Sequence, residues 1–413
     1  MPSIPVPGRA ASHMLRDRVD TADHIHCLAA MALRIGYSIS PDRARLTIDG
    51  EPAVDWEVEG AAFSARDGNF ALLAALPVGI TRGEPLHIEG VVDRTLLRNA
   101  QLLSNHWAQW YPDLFHPIEI YADEFVDQAQ SGLEEVICLS GGIDSTYAYL
   151  RIMHEKRREL RNNLGLGIFI QGFDYSLDDT EGFRVLLGKI KDVVDGAIPV
   201  AAVKTNWRPV IAKGNLWNSF HTVGLGAIQY LFSGQFAGGI LASDYTFTED
   251  HVCAPWGSSA VTNRLLSSSG FKVTSVGEDV RRLDKLEAIE QWGRLADVNV
   301  CWQGARTGKN CGRCEKCLRT MFMCEALGID PVPAFGRAPT PTEIRRLRLH
   351  APNRRVFFVQ AIEAFRNPHR SELKKAAQRS VLQSKVRNFA KSAYEALPFR
   401  VQALERLRYR KGA

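Results

Sequence analysis

The stretch Glu135-Val136-Ile137-Cys138-Leu139-Ser140-Gly141-Gly142-Ile143-Asp144-Ser145 decides the fold. Its first part is an almost continuous apolar run of the length of a buried strand, and a helical pattern follows from Ser145 to about Leu160. Two consecutive glycines tolerate positive φ and let backbone amides approach an anion closely. A helix starting near Ser145 turns free N–H groups and its positive dipole end toward the same place. Ser140 and Ser145 add hydroxyl donors, and Asp144 is placed to contact Mg2+ on a nucleotide. The segment therefore predicts a phosphate-binding strand–loop–helix. It is not a Walker A loop, because no Gly-Lys-Ser/Thr occurs in it. Read blandly, it is a strand–turn–helix connection capped by Ser145.

The pattern continues outward. Leu166–Gln171, Ala197–Val203 and Ile240–Ser243 read as further apolar strands, and Thr180–Val194 as a second helix. Strands alternating with helices of this length predict an α/β domain with a doubly wound parallel sheet, spanning residues 126–335. Such sheets bind ligands at the carboxyl ends of their strands. Phe173 and Asp174 follow the second strand, where Phe173 is a candidate to stack on a base and Asp174 to bond ribose or Mg2+. Lys204 and Asn206 follow the third strand and are candidates to face the cleft.

Upstream, residues 31–95 alternate short apolar runs with turn residues, which predicts a small antiparallel β unit; a helix follows over Thr95–Trp110, then a proline-punctuated linker over Tyr111–Gln128. Residues 1–125 are accordingly an N-terminal β-rich accessory domain. Residues 336–413 read as a basic helical tail. The tail from 345 to 413 holds 18 Lys or Arg and 4 Glu, a net +14, so the remaining chain carries −9 of the overall +5. That asymmetry admits RNA, an acidic protein surface or a membrane surface as a partner, against a plainly solvated helix face.

At 413 residues, with 45% apolar and 23% charged residues, the chain is expected to be a soluble protein of two or three domains. The first twenty-five residues show no signal-peptide pattern, and a cytoplasmic location is expected. His221 to Ser243 contains no charge, yet five glycines, Gln229, Ser233 and Gln235 interrupt it. It reads as a buried helix, a glycine turn and a buried strand, with no transmembrane segment.

Four of the eight cysteines, Cys301, Cys311, Cys314 and Cys317, lie within seventeen positions. Cys-x2-Cys spacing places two sulfurs on one ion, and four thiolates without His describe a closed, structural Zn2+ site. An Fe–S cluster accepts the same four ligands. Elsewhere, His221, His251 and Cys253 are candidates for acid–base or nucleophilic pairs.

Ser140-Gly141-Gly142-Ile143-Asp144-Ser145 resembles the Ser-Gly-Gly-X-Asp-Ser signature of the PP-loop ATP pyrophosphatases. The cysteine cluster, Cys317-Leu318-Arg319 and the segment Leu283-Asp284-Lys285-Leu286-Glu287 are similar to 7-cyano-7-deazaguanine synthase, over roughly residues 134–330. The resemblance implies an AMP-forming C–N ligase that grips ATP pyrophosphate on Ser140–Ser145 and holds structural zinc. Asp144, Lys285 and Arg319 are then its catalytic residues. Fixed cations of this kind stabilise the charge that accumulates on pentavalent phosphorus. Expected partners are ATP, a small-molecule carboxylate or a protein or peptide target, ammonia or another amine donor, and a second copy of the chain in a homodimer. Where those synthases carry a Tyr-Pro-Asp-Cys-Arg type segment, this chain reads Glu249-Asp250-His251-Val252-Cys253-Ala254-Pro255-Trp256, which implies a divergent relative with a different substrate. Cys253 also admits sulfur transfer to tRNA, and the cysteine cluster alone admits a non-catalytic zinc-binding module.

Overall fold

In this computed structural model the described residues are 31–301, 303, 308–329, 332–349 and 351–395, with side chains described as far as residue 388. Cys27 and the basic run Arg406 to Lys411 lie outside them.

The chain is an α/β protein built on one ten-stranded, mostly parallel sheet flanked by helices. In chain order the strands are β1 (Leu33–Ile39), β2 (Arg43–Ile48), β3 (Glu51–Glu59), β4 (Leu86–Asp93), β5 (Ile120–Val126), β6 (Glu135–Cys138), β7 (Leu164–Gln171), β8 (Val200–Thr205), β9 (Gly238–Ala242) and β10 (Lys272–Val276). Their spatial order is β10-β9-β6-β7-β8-β3-β2-β1-β4-β5. From β10 to β8 every neighbouring pair is parallel. The helices used below are α1 (Asn69–Arg82), α2 (Arg94–Trp110), α3 (Ile143–His154), α4 (Thr180–Val194), α5 (Leu216–Tyr230), α6 (Phe247–Cys253), α7 (Arg282–Gln291), α8 (Glu315–Leu327), α9 (Pro341–Arg346), α10 (Pro352–Glu363) and α11 (Ser371–Glu395).

Successive strand residues point to opposite faces, and here both faces are dry. Val136 and Cys138 of β6 join one core cluster, with Ile168 of β7 and Leu241 of β9. Ile137 joins a second, with Phe169 and Ile240. Phe70, Leu96 and Phe220, from α1, α2 and α5, belong to the first core. Tyr147, Leu186, Leu286 and Met321, from α3, α4, α7 and α8, belong to the second.

The N-terminal strands do not close a sheet of their own. β3 pairs antiparallel with β8, Trp56 opposite Thr205 and Val58 opposite Val203, so residues 33–126 extend the parallel half directly. Asn206 sews the seam by accepting from the Asp55 amide at 2.8 Å. Within this half β2 pairs antiparallel with both β1 and β3, and β4 and β5 join in parallel. The expected linker over 111–128 contains β5, and the expected all-β stretch contains α1. That helix is buried on nearly every side and carries Pro77, so it shows neither helical amphipathicity nor a clean interior.

The uncharged stretch 221–243 is the second half of α5, a turn and β9. Two of its glycines mark close approaches. A Cβ on Gly224 would lie 2.5 Å from the Trp207 ring, and one on Gly226 3.3 Å from Leu73 of α1. No described helix is long and apolar enough to cross a membrane.

Residues 341–395 fold back as α9, α10 and α11, and their buried Phe357, Phe358, Leu373 and Ala377 complete the second core.

Candidate active site and metal centre

The strand order reverses between β6 and β9: the chain proceeds outward through β7 and β8 on one side, then returns to lay β9 and β10 on the other. Parallel sheets open a crevice at the carboxyl ends of the strands flanking such a point. Here it lies between the loop after β6 and the loop after β9.

The β6 loop holds Ser140, Gly141 and Gly142. Gly141 takes φ 72°, the left-handed region that glycine enters without strain. Gly142 is the N-cap of α3, and with no side chain it leaves the first-turn amides open to an anion. Ser145 Oγ accepts from the Ser140 amide at 3.2 Å and lies 3.0 Å from Ser140 Oγ, cross-bracing the turn. Ile143 is buried beneath it.

Asp144 faces the crevice and is doubly paired. Arg282, near the start of α7, donates to its two oxygens at 3.2 and 2.5 Å. Lys285 Nζ, fully buried, donates to Asp144 Oδ1 at 3.2 Å and to the Ser243 carbonyl at 2.6 Å, bridging the loops after β6 and β9. The same Arg282 lies 3.5 Å from Asp244, which also accepts from Trp256 Nε1 at 2.8 Å. Burial alone would raise the Asp144 carboxyl, but the charges of Arg282 and Lys285 outweigh it and hold it below the usual carboxylate range. Burial would lower Arg282, and Asp144 and Asp244 together keep it above the ordinary guanidinium value.

Arg319, on α8, joins the same group through an aromatic platform. The Phe357 ring, buried in α10, carries the Arg282 guanidinium 4.2 Å and the Arg319 guanidinium 4.9 Å from its centroid. Tyr245 stacks on Phe357 at 5.5 Å. Arg319 also pairs with Glu315 at 3.1 Å.

The structure thus brings together the expected Asp144, Lys285 and Arg319 and adds Arg282, Asp244 and Phe357. Arg282 was legible only as one of two adjacent arginines three residues before Lys285. Asp244, like Asp174, ends an apolar strand. Phe357 had no sequence signal, since it lies in the segment read as a tail.

Phe173 and Asp174 follow β7 on the same sheet edge. Phe173 is largely buried in the first core, its ring edge-on to Trp217 at 4.9 Å. Asp174 pairs with Arg208 at 3.4 Å. Lys204 and Asn206 lie at the β3–β8 seam. His221 is half-buried, 3.8 Å from Asp244; desolvation holds its imidazole below the usual range, against the pull of that carboxylate. The His251 ring meets Phe247 edge-on. Cys253 is buried, and burial pushes its thiol up to about 12, which disfavours the thiolate a sulfur carrier needs.

Cys301, Cys311, Cys314 and Cys317 converge, all four sulfurs within 4.8 Å of one another. Sγ–Sγ separations of 4.0 Å (Cys301–Cys314) and 3.8 Å (Cys311–Cys317) match the roughly 3.8 Å edge of a tetrahedron with Zn–S near 2.3 Å. The amides of Arg313 and Cys314 donate to Cys311 Sγ at 3.4 and 3.3 Å, and Gly312 takes φ 66° to make that turn. The donor set therefore fits Zn2+. Asn310 clasps the two limbs, accepting from the Val300 amide at 2.8 Å and donating to the Val298 carbonyl at 2.9 Å.

Comparisons with protein-family models, with curated proteins and with solved structures returned no match.

Proposed function

We propose that the protein is an ATP pyrophosphatase of the PP-loop class, an AMP-forming ligase resembling 7-cyano-7-deazaguanine synthase. The observation that carries this reading is the crevice at the strand-order reversal. An uncapped glycine loop forms one wall and Ser243–Asp244 the other, and buried Lys285 spans them. A cradle of open amides beside three convergent cations suits a polyphosphate.

Bound ATP supplies an electrophilic α-phosphorus and a pyrophosphate leaving group. In this proposal the amides after Gly141 and the hydroxyls of Ser140 and Ser145 hold the β- and γ-phosphates. Lys285, Arg282 and Arg319 face the charge that builds on phosphorus as a carboxylate or carbonyl oxygen attacks. Asp144 orients Lys285 and Arg282. Ammonia or another amine then attacks the activated carbon, AMP departs with the bonding electrons, and the nitrogen loses a proton.

Asp144 is already paired with two cations, so Mg2+ does not fit this carboxylate as it stands. Zn2+ would be held by Cys301, Cys311, Cys314 and Cys317. With four protein ligands it has no open position and would be structural.

The test is incubation of the purified protein and magnesium with α-labelled ATP and candidate carboxylates. Release of AMP and pyrophosphate supports the reading, and release of ADP and phosphate defeats it. Sulfur transfer through Cys253 is disfavoured by that residue's burial.

A further inference from the structure

The C-terminal helical layer carries a surface that the nucleotide site does not use. Between Ile344 and Ile362, and again between Leu373 and Tyr394, the chain contains no Asp or Glu. Ser380 Oγ donates to the Leu347 carbonyl at 2.9 Å, and Ser384 Oγ accepts from the Leu349 amide at 3.1 Å. These bonds lay the segment after α9 along α11. Arg345 and Arg346 of α9, Arg348 just after it, and Arg379, Lys385 and Arg387 of α11 are all exposed, and none forms an ion pair among the described residues.

The α11 helix is also amphipathic. The buried side of α11 is Leu373, Ala376, Ala377, Ser380, Val381 and Ser384, a clean helical stripe. On the opposite crest Leu382 and Val386 are 62% and 59% exposed, one turn apart and one turn after Arg379. Beside them Val359 and Ile362 of α10 and Val381 and Leu382 of α11 line a shallow groove whose polar lining is Gln378, Lys385 and one carboxylate, Glu363.

We propose that this face docks on an anionic membrane surface. The exposed cations, in excess over Glu363 and Glu372, supply attraction to acidic headgroups, and Leu382, Val386 and the groove meet the boundary between headgroups and acyl chains. A nucleic acid accounts for the cations alone. Single strands are held on exposed aromatic platforms, whereas Phe357 and Phe358 of this layer are buried.

The test is co-sedimentation of the full-length protein with vesicles of phosphatidylcholine alone and with 30% phosphatidylglycerol. Binding is expected only to the acidic vesicles and should weaken as salt rises. Each cation near such a surface is worth about fivefold in affinity, so Arg379→Gln with Lys385→Gln should weaken binding about 25-fold. Leu382→Ser with Val386→Ser should weaken it at unchanged charge. Circular dichroism and thermal melting establish that each variant is folded. Equal binding to both vesicle types, no binding to either, or insensitivity of a folded Leu382→Ser/Val386→Ser variant overturns the proposal. Preferential binding of a single-stranded or duplex RNA oligonucleotide in fluorescence polarisation, with no acidic-vesicle binding, also overturns it.

Discussion

The backbone amide of Asn299 donates a 2.8 Å hydrogen bond to the carbonyl of Gly141. Gly141 is the left-handed residue of the glycine loop after β6, and Asn299 lies two residues before Cys301. The Asn299 side chain also donates to Tyr175 Oη at 2.5 Å, and Asn310 clasps the residues on either side of it. The cysteine knot thus reaches the loop through the chain that enters it.

Removing the metal should therefore be felt at the loop as well as at the knot. Cys317→Ser, or prolonged chelation, is expected to release about one zinc per chain and to lower the melting temperature by about 10 °C, as for loss of a structural metal. ATP affinity, followed by calorimetry at a temperature where the variant is still folded, should fall with it. Full retention of affinity in zinc-free protein would separate the two sites.

Lys285 is completely buried and compensated by Asp144 and the Ser243 carbonyl. Lys285→Met leaves Asp144 with Arg282 as its cation and removes one charge from the crevice. AMP release should drop by about 100-fold or more, the scale seen when one stabilising donor is lost. Asp144→Asn strands a buried ammonium and should cost about 3–5 kcal/mol of stability. Denaturant titration beside the rate assay distinguishes the two effects.

The ring of Phe357 holds two guanidiniums that repel one another. Phe357→Leu keeps much of the apolar volume and removes the π face. With about 0.5–2 kcal/mol for each cation–π contact, ATP affinity should weaken by about tenfold. Because Phe357 acts through the arginines, a change in affinity with the fold intact separates this role from simple packing.

Asp144 in the crevice and Asp250 on α6 titrate in opposite senses. Asp144 is held below the carboxylate range, so the stability it contributes is present at neutral pH and is lost as pH falls below about 4. Burial raises Asp250 to about 6. The native state therefore keeps a proton there that the unfolded chain has released, and stability declines as pH rises from about 4 to about 6. Asp250→Asn should remove that decline. Its melting temperature relative to wild type should be higher at pH 8 than at pH 4, and an unchanged difference would count against the burial account.

The parts of the fold that proved legible are those whose signal is local. Glu135–Cys138 followed by Gly141-Gly142 marks a buried strand, a glycine turn and a helix start within eleven residues, and α4 falls on Thr180–Val194 as its periodicity predicts. The rest was hidden for physical reasons. Pro112, Pro117 and the acidic pair Asp123-Glu124 mask β5, which runs at the edge of the sheet where those charges stay wet. The β3–β8 seam joins residues almost 150 positions apart, and no periodicity in either strand announces its partner. Within the site, the thiol spacing and the glycine loop are compact motifs. Arg282, Asp244 and Phe357 come from three separate elements, and only packing assembles them.

That seam limits how the chain can be divided. A fragment beginning after β5 would present the bare backbone of β8 to solvent and lose α1, whose Ala74 carbonyl accepts from Trp207 Nε1 at 3.0 Å. An unpaired edge beside stripped apolar surface is a template for self-association, so the half that carries β6 to β10 should aggregate when expressed without its leading strands.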